Sequence, residues 1–340
     1  MVKEPAMVKN MKIGSLVLLT GVLCLFSPGF GQPAAPLSLI RTVALPDVQG
    51  GFNHMSADPG VQRLFAAAPT NGTIEIVDLK TGKALRSLGG ERPAAVRFAP
   101  EFNQLYATRG QSVYIYDGKT LDPIAKITYE SSLDELQYDA RSNRLYVGVM
   151  AADKTAIAII SVPQGKQLGE IKLPGKPQGF IVEQRGKRIF ANIPALKQIA
   201  VMDTDRRTLL EPWSLAGTQG NYPIDLDEER HRLFVGCRQP PRMIVFNTGS
   251  GKPVASIDIS GDTDDLFYDP ARKRVYVSSG DGSIDVIDQR DADHYQARRR
   301  ISTVAGARTS AFSVALNMFC LGVPKRGDGP AEIRVFLGQR

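Results

Sequence analysis

Short runs of alternating apolar and polar residues recur along most of the chain, separated by polar breaks that contain glycine. One clear copy begins at Asp269, continues with an alternating run from Arg274, breaks at Gly280–Gly282 and ends in a second alternating run at Asp288. Such alternation is typical of β-strands with one apolar face, and the glycine breaks are typical of tight turns. The stretch therefore predicts two strands and two turns.

The same pattern occurs seven times, with a spacing of about 42.5 residues. Each copy carries an aromatic residue, or in the last copy a cysteine, at one fixed place: Phe65, Tyr106, Tyr146, Phe190, Phe234, Tyr276 and Cys320. Every complete copy has room for four short strands, which is typical of one β-propeller blade. The sequence therefore predicts an all-β fold, a seven-bladed β-propeller of four-stranded antiparallel blades.

The strand count also predicts how the ring closes. The last copy supplies three strands before the chain ends, whereas a spare alternating run, 37–45, precedes the first copy. We expect this N-terminal strand to join the last blade, because that pairing leaves no open sheet edge at the junction. Residues 32–340 then form a single domain, since no linker is long enough to separate a second one.

An acidic residue ends the first strand in five copies, and an arginine follows five residues later. These pairs are Asp58 with Arg63, Asp139 with Arg144, Glu183 with Arg188, Asp227 with Arg232 and Asp269 with Arg274. We expect each pair to hold its hairpin turn. The last copy has Met318 in place of the arginine and Cys320 in place of the aromatic residue, so we expect that blade to pack differently.

Residues 1–31 differ in kind from the repeats. Lys3, Lys9 and Lys12 precede a short apolar run, Ile13–Phe26, and small, turn-forming residues follow it. This is the pattern of a secretory signal peptide, and the run is short for a transmembrane helix. We expect cleavage near Gln32, no transmembrane segment in the mature chain, and an exported protein that is periplasmic, attached to the cell surface or secreted.

Composition agrees with an exported globular protein. Hydrophobic residues make up 43% of the chain and charged residues 23%, which is enough for a packed core. The formal net charge of +7 falls to about +5 on loss of residues 1–31, so the mature protein is only mildly basic. Cys237 and Cys320 would remain, too few for a disulfide framework; a bridge between them is the less favoured alternative, as is lipid modification of Cys24.

Copies that read RLYV or RVYV and close in IDVID, together with DADHY at 291–295 and GARTS at 306–310, resemble the YVTN/YncE-like family of exported seven-bladed propellers. The resemblance covers almost the whole mature chain. It implies the propeller fold and export, and it implies no particular activity, because the shared residues are mostly turn and core positions.

Polar residues precede the acidic turn by four and five positions, where a structural strand would be apolar. In a propeller this place is the start of the channel-lining strand, at the mouth of the central channel, and we expect a ligand to bind there. The candidate channel-mouth residues are Asn53, His54, Asp134, Glu135, Gln178, Tyr222, Asp264, Asp265 and Arg308.

Two further features bear on the chemistry. Carboxylates suit a hard divalent cation, so Asp134, Glu135, Asp264 and Asp265 form an alternative metal site, although no cofactor is predicted.

Basic residues in the loops between second and third strands form a candidate binding rim on the same face, suited to an anionic or zwitterionic ligand or an acidic partner. They are Lys154, Lys197, Arg238 and Arg242.

The sequence therefore favours a monomeric binding scaffold over an enzyme, holding a small ligand or a partner protein at the channel mouth. A metal-assisted, lactonase-like hydrolase that uses the acidic residues is the first alternative. Binding of single-stranded nucleic acid is the second and is disfavoured, because most aromatic residues are needed in the strands and only Tyr222 is left to stack on bases. Short motifs for nucleotide, haem or Ser-His-Asp chemistry are absent from the sequence.

Overall fold

The computed structural model describes residues 1–5, 35–151, 154–215 and 217–339. The apolar run of the predicted signal peptide, its expected cleavage site and Cys24 lie outside the described residues. Besides β-strands, the described part of the chain contains two short 3₁₀-helices, Pro100–Phe102 and Pro194–Leu196. None of its helices is long and apolar enough to cross a membrane.

The described strands form seven antiparallel sheets, which are the blades. Blades 1 to 3 contain β2 (Met55–Asp58), β3 (Arg63–Ala68), β4 (Thr73–Asp78), β5 (Lys83–Gly89); β6 (Pro93–Ala99), β7 (Gln104–Arg109), β8 (Ser112–Asp117), β9 (Pro123–Thr128); and β10 (Leu133–Asp139), β11 (Arg144–Met150), β12 (Thr155–Ser161), β13 (Gln167–Lys172). Blades 4 and 5 contain β14 (Phe180–Val182), β15 (Arg188–Ile193), β16 (Gln198–Asp203), β17 (Thr208–Leu209), β18 (Trp213–Ser214); and β19 (Gln219–Asp227), β20 (Arg232–Gln239), β21 (Pro241–Asn247), β22 (Pro253–Asp258). Blades 6 and 7 contain β23 (Thr263–Asp269), β24 (Arg274–Ser279), β25 (Ser283–Gln289), β26 (Tyr295–Ser302); and β27 (Thr309–Ser313), β28 (Met318–Val323), β29 (Ala331–Gly338) with β1 (Leu37–Leu45).

The N-terminal strand closes the ring as the strand count predicts. β1 is the outermost strand of blade 7, in the order β1-β29-β28-β27, and it pairs antiparallel with β29 from Leu37 opposite Gly338 to Leu45 opposite Ala331. One blade is thus assembled from both ends of the described ring. This confirms the predicted fold class, a seven-bladed β-propeller of four-stranded blades; in blade 4 two short strands, β17 and β18, both pair with β16 and share the place of the fourth strand.

The core lies between blades, because each sheet packs one face on each neighbour. The second and third strands of a blade are therefore buried along most of their length, as in β24, whereas the outer strand β26 is mostly exposed. The aromatic residues at the repeated position are all fully buried, with 0% exposure: Phe65, Tyr106, Tyr146, Phe190, Phe234 and Tyr276. These rings fill the seams between blades, which explains why the sequence repeats them.

The predicted ion pairs across the turns form in only some blades. Arg63 pairs with Asp58 at 2.9 Å and Arg188 with Glu183 at 2.6 Å, as expected. In blade 5, by contrast, Arg232 pairs with Asp293 of blade 6, in the DADHY turn.

Blades 3 and 6 depart from the same prediction. Asp269 pairs with Arg272, which is closer in the turn, while Arg274 pairs with Asp288 on the next strand at 2.8 Å. Asp139 likewise pairs with Arg141. The prediction fails in these blades because a nearer arginine pairs with the acid, and in blade 6 the later one, Arg274, pairs with the next strand.

Blade 7 uses a small residue where the other blades use an aromatic ring. Cys320 lies opposite Ala311 and is buried among Val43, Leu45 and Val335. The neighbouring Phe319 fills the seam toward blade 6 instead, against Tyr276 at a ring distance of 5.8 Å. Cys237 and Cys320 are both free and buried.

Candidate binding site at the channel mouth

β-bulges explain why two consecutive residues reach the channel at the start of a first strand. The pairing register of the first two strands shifts between Leu133 and Leu136 in blade 3 and between Thr263 and Asp265 in blade 6. Blades 2 and 5 carry the same shift. A bulge inserts an extra residue and re-aims its side chain. It therefore brings both members of the pair to the channel mouth, instead of placing them on opposite faces.

A polar cavity of about 720 Å³ occupies the channel. All nine candidate channel-mouth residues line it: Asn53, His54, Asp134, Glu135, Gln178, Tyr222, Asp264, Asp265 and Arg308. Of the candidate rim residues, Arg238 also lines the cavity. The structure thus brings the predicted residues together, while their role in binding stays a prediction.

Two of the acidic residues hold neighbouring blades together. The Glu135 carboxylate accepts the backbone N–H of Phe180 at 2.9 Å and the side-chain amide of Gln137 at 2.6 Å. The Asp265 carboxylate accepts the backbone N–H of Ser310 at 2.6 Å. The bonds from Phe180 and Ser310 each join the first strand of one blade to that of the next, so part of the acidity in the channel is structural.

A network of two arginines and two aspartates lies at the mouth, on blades 5 to 7. Arg238 contacts Asp264 at 2.7 Å and Asp262 at 3.4 Å, and Arg308 contacts Asp262 at 2.7 Å and Asp264 at 3.3 Å. The Arg238 guanidinium also lies 3.8 Å from the centre of the Tyr222 ring. This cation–π contact takes one face of the aromatic side chain that was the candidate for base stacking.

Asp134 differs from the other acidic residues in the cavity. Within the part of the chain that the structure describes, its carboxylate has neither a hydrogen-bond donor nor an ion-pair partner. Asp134 interacts electrostatically with His54. Asp134 is thus a half-buried carboxylate that faces the channel without a direct partner.

Acidic surroundings and burial shift the titration of the channel groups. Burial alone would lower the pKa of His54, but the fields of Glu135, Asp134, Asp265 and Asp264 outweigh it and raise that pKa above its usual value. Burial raises the pKa of Asp265 to about 7, against the opposing effect of His54. Burial also raises the pKa of Asp225 to about 6. The charge of the channel therefore changes near neutral pH.

Sequence analysis missed three charged residues of the site. Arg97 and Asp225 line the cavity two residues before the turn position, on the same strand face as the predicted residues but deeper. Arg97 donates from Nε and from its NH2 group to the carbonyl of Leu136, at 3.1 and 3.0 Å, and burial lowers the pKa of its guanidinium. Arg97 and Asp225 could have been found from the alternation of the strand, since every second residue of a first strand faces the channel. Asp262 lies in the preceding loop, where no alternation applies.

The other rim residues lie outside the cavity. Lys154 pairs with Glu130 at 3.1 Å and Arg242 pairs with Asp258 at 3.0 Å, so their charges are locally compensated. Lys197 lies beside a smaller pocket of about 290 Å³ with Thr218 and Gln219. Among the described residues, no three His, Cys, Asp or Glu side chains are grouped so that they could hold a metal ion.

The chain is similar to solved propellers of the WD40 type. A chain of the mitotic checkpoint complex superposes with a TM-score of 0.75 and 13% identity, covering 96% of this chain and 99% of that one. The RRP9 WD40 repeats superpose with a TM-score of 0.77 and 10% identity, covering 89% of this chain and 100% of that one. At such identities the likeness shows the fold alone.

No family model matches the chain, and no curated protein matches its sequence. The superpositions establish the WD40-like propeller fold. Membership of the YVTN/YncE-like family stays a prediction.

Proposed function

We propose that this protein is a binding scaffold whose channel mouth takes a positively charged group, with the Asp134 carboxylate as its anchor. The observation that carries the proposal is the unpartnered Asp134 side chain in an open polar cavity. A carboxylate that is partly removed from water and has no cation in direct contact gains from binding one, because its hydrogen-bonding capacity is otherwise left to channel water.

The partners of the acidic side chains in the cavity support the same ligand class. Five acidic residues line it, and they are Asp134, Glu135, Asp225, Asp264 and Asp265. Glu135, Asp225 and Asp265 accept backbone N–H groups, and Asp264 pairs with arginines. Only Asp134 is left with its full capacity for a cation, whether that cation is the amine of a small molecule or a lysine side chain of a partner protein.

Asp134→Asn should weaken the binding of n-butylamine by about tenfold or more, because the ion pair between carboxylate and ammonium is replaced by a hydrogen bond from the ammonium to an uncharged amide. Titration calorimetry on the purified protein measures the change. Asp258→Asn is the matched control, since Asp258 is exposed, lies outside the cavity and should leave binding unchanged.

A second probe separates the two sources of the amine. A short peptide with a central lysine that binds at least tenfold tighter than n-butylamine would indicate a partner protein; equal affinities would indicate a small ligand. The proposal is wrong if n-butylamine does not bind, or if it binds the Asp134→Asn variant as well as the unchanged protein.

The two alternative functions gain no comparable support. Of the four carboxylates predicted for a hydrolytic metal site, Glu135 and Asp265 already bond neighbouring backbone and Asp264 pairs with two arginines, which leaves Asp134 alone. Nucleic-acid binding by stacking would use Tyr222, which is partly covered by Arg238.

We also propose export by cleavage of the signal peptide near Gln32, on the strength of the N-terminal pattern alone. Produced in a Gram-negative bacterial host with a C-terminal tag, the protein should be recovered outside the cytoplasm, with its new N-terminus close to Gln32. N-terminal sequencing and intact mass would show this. A product that keeps Met1 and stays in the cytoplasm would contradict the proposal.

A further inference from the structure

Two arginines converge at the channel mouth on a carboxylate that comes from an exposed loop. The Asp262 side chain contacts Arg308 at 2.7 Å and Arg238 at 3.4 Å, and both Asp262 and Arg308 have side chains that are 42% exposed. Exposed ion pairs contribute little, because water and salt screen them. The Asp262 carboxylate is therefore a weakly held partner for two guanidinium groups.

Contacts other than those with Asp262 also hold both arginines. Arg238 donates from Nε to the carbonyl of Thr263 at 2.9 Å, stacks on Tyr222 and pairs with Asp264. Arg308 also pairs with Asp264, at 3.3 Å between its Nε and the carboxylate. Loss of Asp262 would thus leave two positioned guanidinium groups with a single remaining carboxylate between them.

The Asp262 loop is also under mild constraint. Its backbone has φ of 57°, in the left-handed region that asparagine and glycine tolerate better than most residues. Its side chain lies against Gly280, where an added Cβ would overlap the carboxylate oxygen. A methyl group at position 280 would therefore push the Asp262 carboxylate away from its present place.

We propose that Arg238 and Arg308 form a carboxylate-binding subsite that Asp262 occupies in the free protein, so that the ligand of the channel mouth is zwitterionic. The carboxylate of the ligand replaces that of Asp262 on the two guanidinium groups, whose planar donors suit a carboxylate. Its cationic group lies against Asp134 across the channel. The cationic half of this inference rests on the proposed function; the anionic half rests on the arginine pair.

Asp262→Asn removes the competing charge, and the amide tolerates the left-handed backbone. The variant should bind butyrate about three- to tenfold tighter than the unchanged protein, because a ligand carboxylate no longer displaces an ion pair. Gly280→Ala, which pushes the Asp262 carboxylate away and keeps its charge, should also strengthen butyrate binding. Arg308→Gln in the Asp262→Asn background should abolish the gain.

Unbranched ω-amino acids of increasing length test the zwitterion directly. One length should bind the unchanged protein on the order of tenfold tighter than either n-butylamine or butyrate, because its two groups reach both subsites at once. Butyrate affinity that is equal in the unchanged protein and in the Asp262→Asn and Gly280→Ala variants would overturn the inference. Since n-butylamine alone tests Asp134, failure of the subsite and failure of the proposed function give different results.

Discussion

The folded protein is expected to be more stable at about pH 5.5 than at about pH 8, by roughly 2 to 4 kcal/mol. The main cause is Asp265, whose pKa burial raises to about 7. In the unfolded chain this carboxyl ionises near its usual pKa, so between the two values the folded state holds a proton that the unfolded state has lost. Folding is therefore favoured as the pH falls from about 8 toward about 5.

Asp225 and His54 act in the same direction. Asp225 also has a raised pKa, about 6, so its contribution to the stability of the folded protein is lost as the pH rises through that value. His54, with its pKa raised by four carboxylates, contributes stability below its unfolded pKa, which is lost as the pH rises through the folded value. Below about pH 4 the trend reverses, because turn carboxylates such as Asp78 and Asp117 have lowered pKa values.

Urea unfolding followed by circular dichroism at the two pH values measures the difference. Asp265→Asn keeps an acceptor for the Ser310 N–H, but its amide does not titrate. The variant should therefore lose at least half of the pH dependence of stability. The exposed Asp258→Asn should leave it intact. Equal stability at both pH values, or an unaltered slope in Asp265→Asn, would show that the channel carboxyls do not titrate as described.

Val43→Asp should lower the free energy of unfolding by about 3 to 5 kcal/mol, because it buries a charge in the strand that closes the ring. Val43 is 3% exposed and packs in the same cluster as Leu45 and Val335. The variant should also expose the edge of β29, which would then pair with other chains. Chemical unfolding and size-exclusion chromatography report these two effects.

The neighbouring residue supplies a control with the same new side chain. Thr42 is exposed and lies opposite Arg334, so Thr42→Asp should change stability by no more than about 0.5 kcal/mol. Limited proteolysis should cut β1 in Val43→Asp and leave it intact in Thr42→Asp. Similar losses of stability in both variants would mean that β1 is not held by its buried face.

The fold could be predicted from the sequence because a propeller repeats one local pattern. Each copy meets the same two neighbours, so residues such as Phe65 and Tyr276 recur at equivalent buried places. The channel-mouth residues could be predicted from the same register, since Asp134 and Asp264 hold equivalent positions at bulged strand starts.

Contacts between copies could not be predicted in the same way. Arg232 was expected to bond within its own turn and instead reaches Asp293 of the next blade. Asp262 was missed because it stands in a loop, where neither alternation nor register fixes the direction of a side chain. The choice of partner there depends on distances across the ring, which one copy does not contain.

Because β1 pairs with β29, the ring can close only after the last described strand has been synthesised. β1 is the first of the described strands to be synthesised, and its partner, which begins at Ala331, is the last. At the usual speed of translation, of about 5 to 20 residues per second, β1 waits on the order of 15 to 60 seconds for that partner. During this interval six blades can form, but their circle stays open and the exposed first strand must be kept from mispairing.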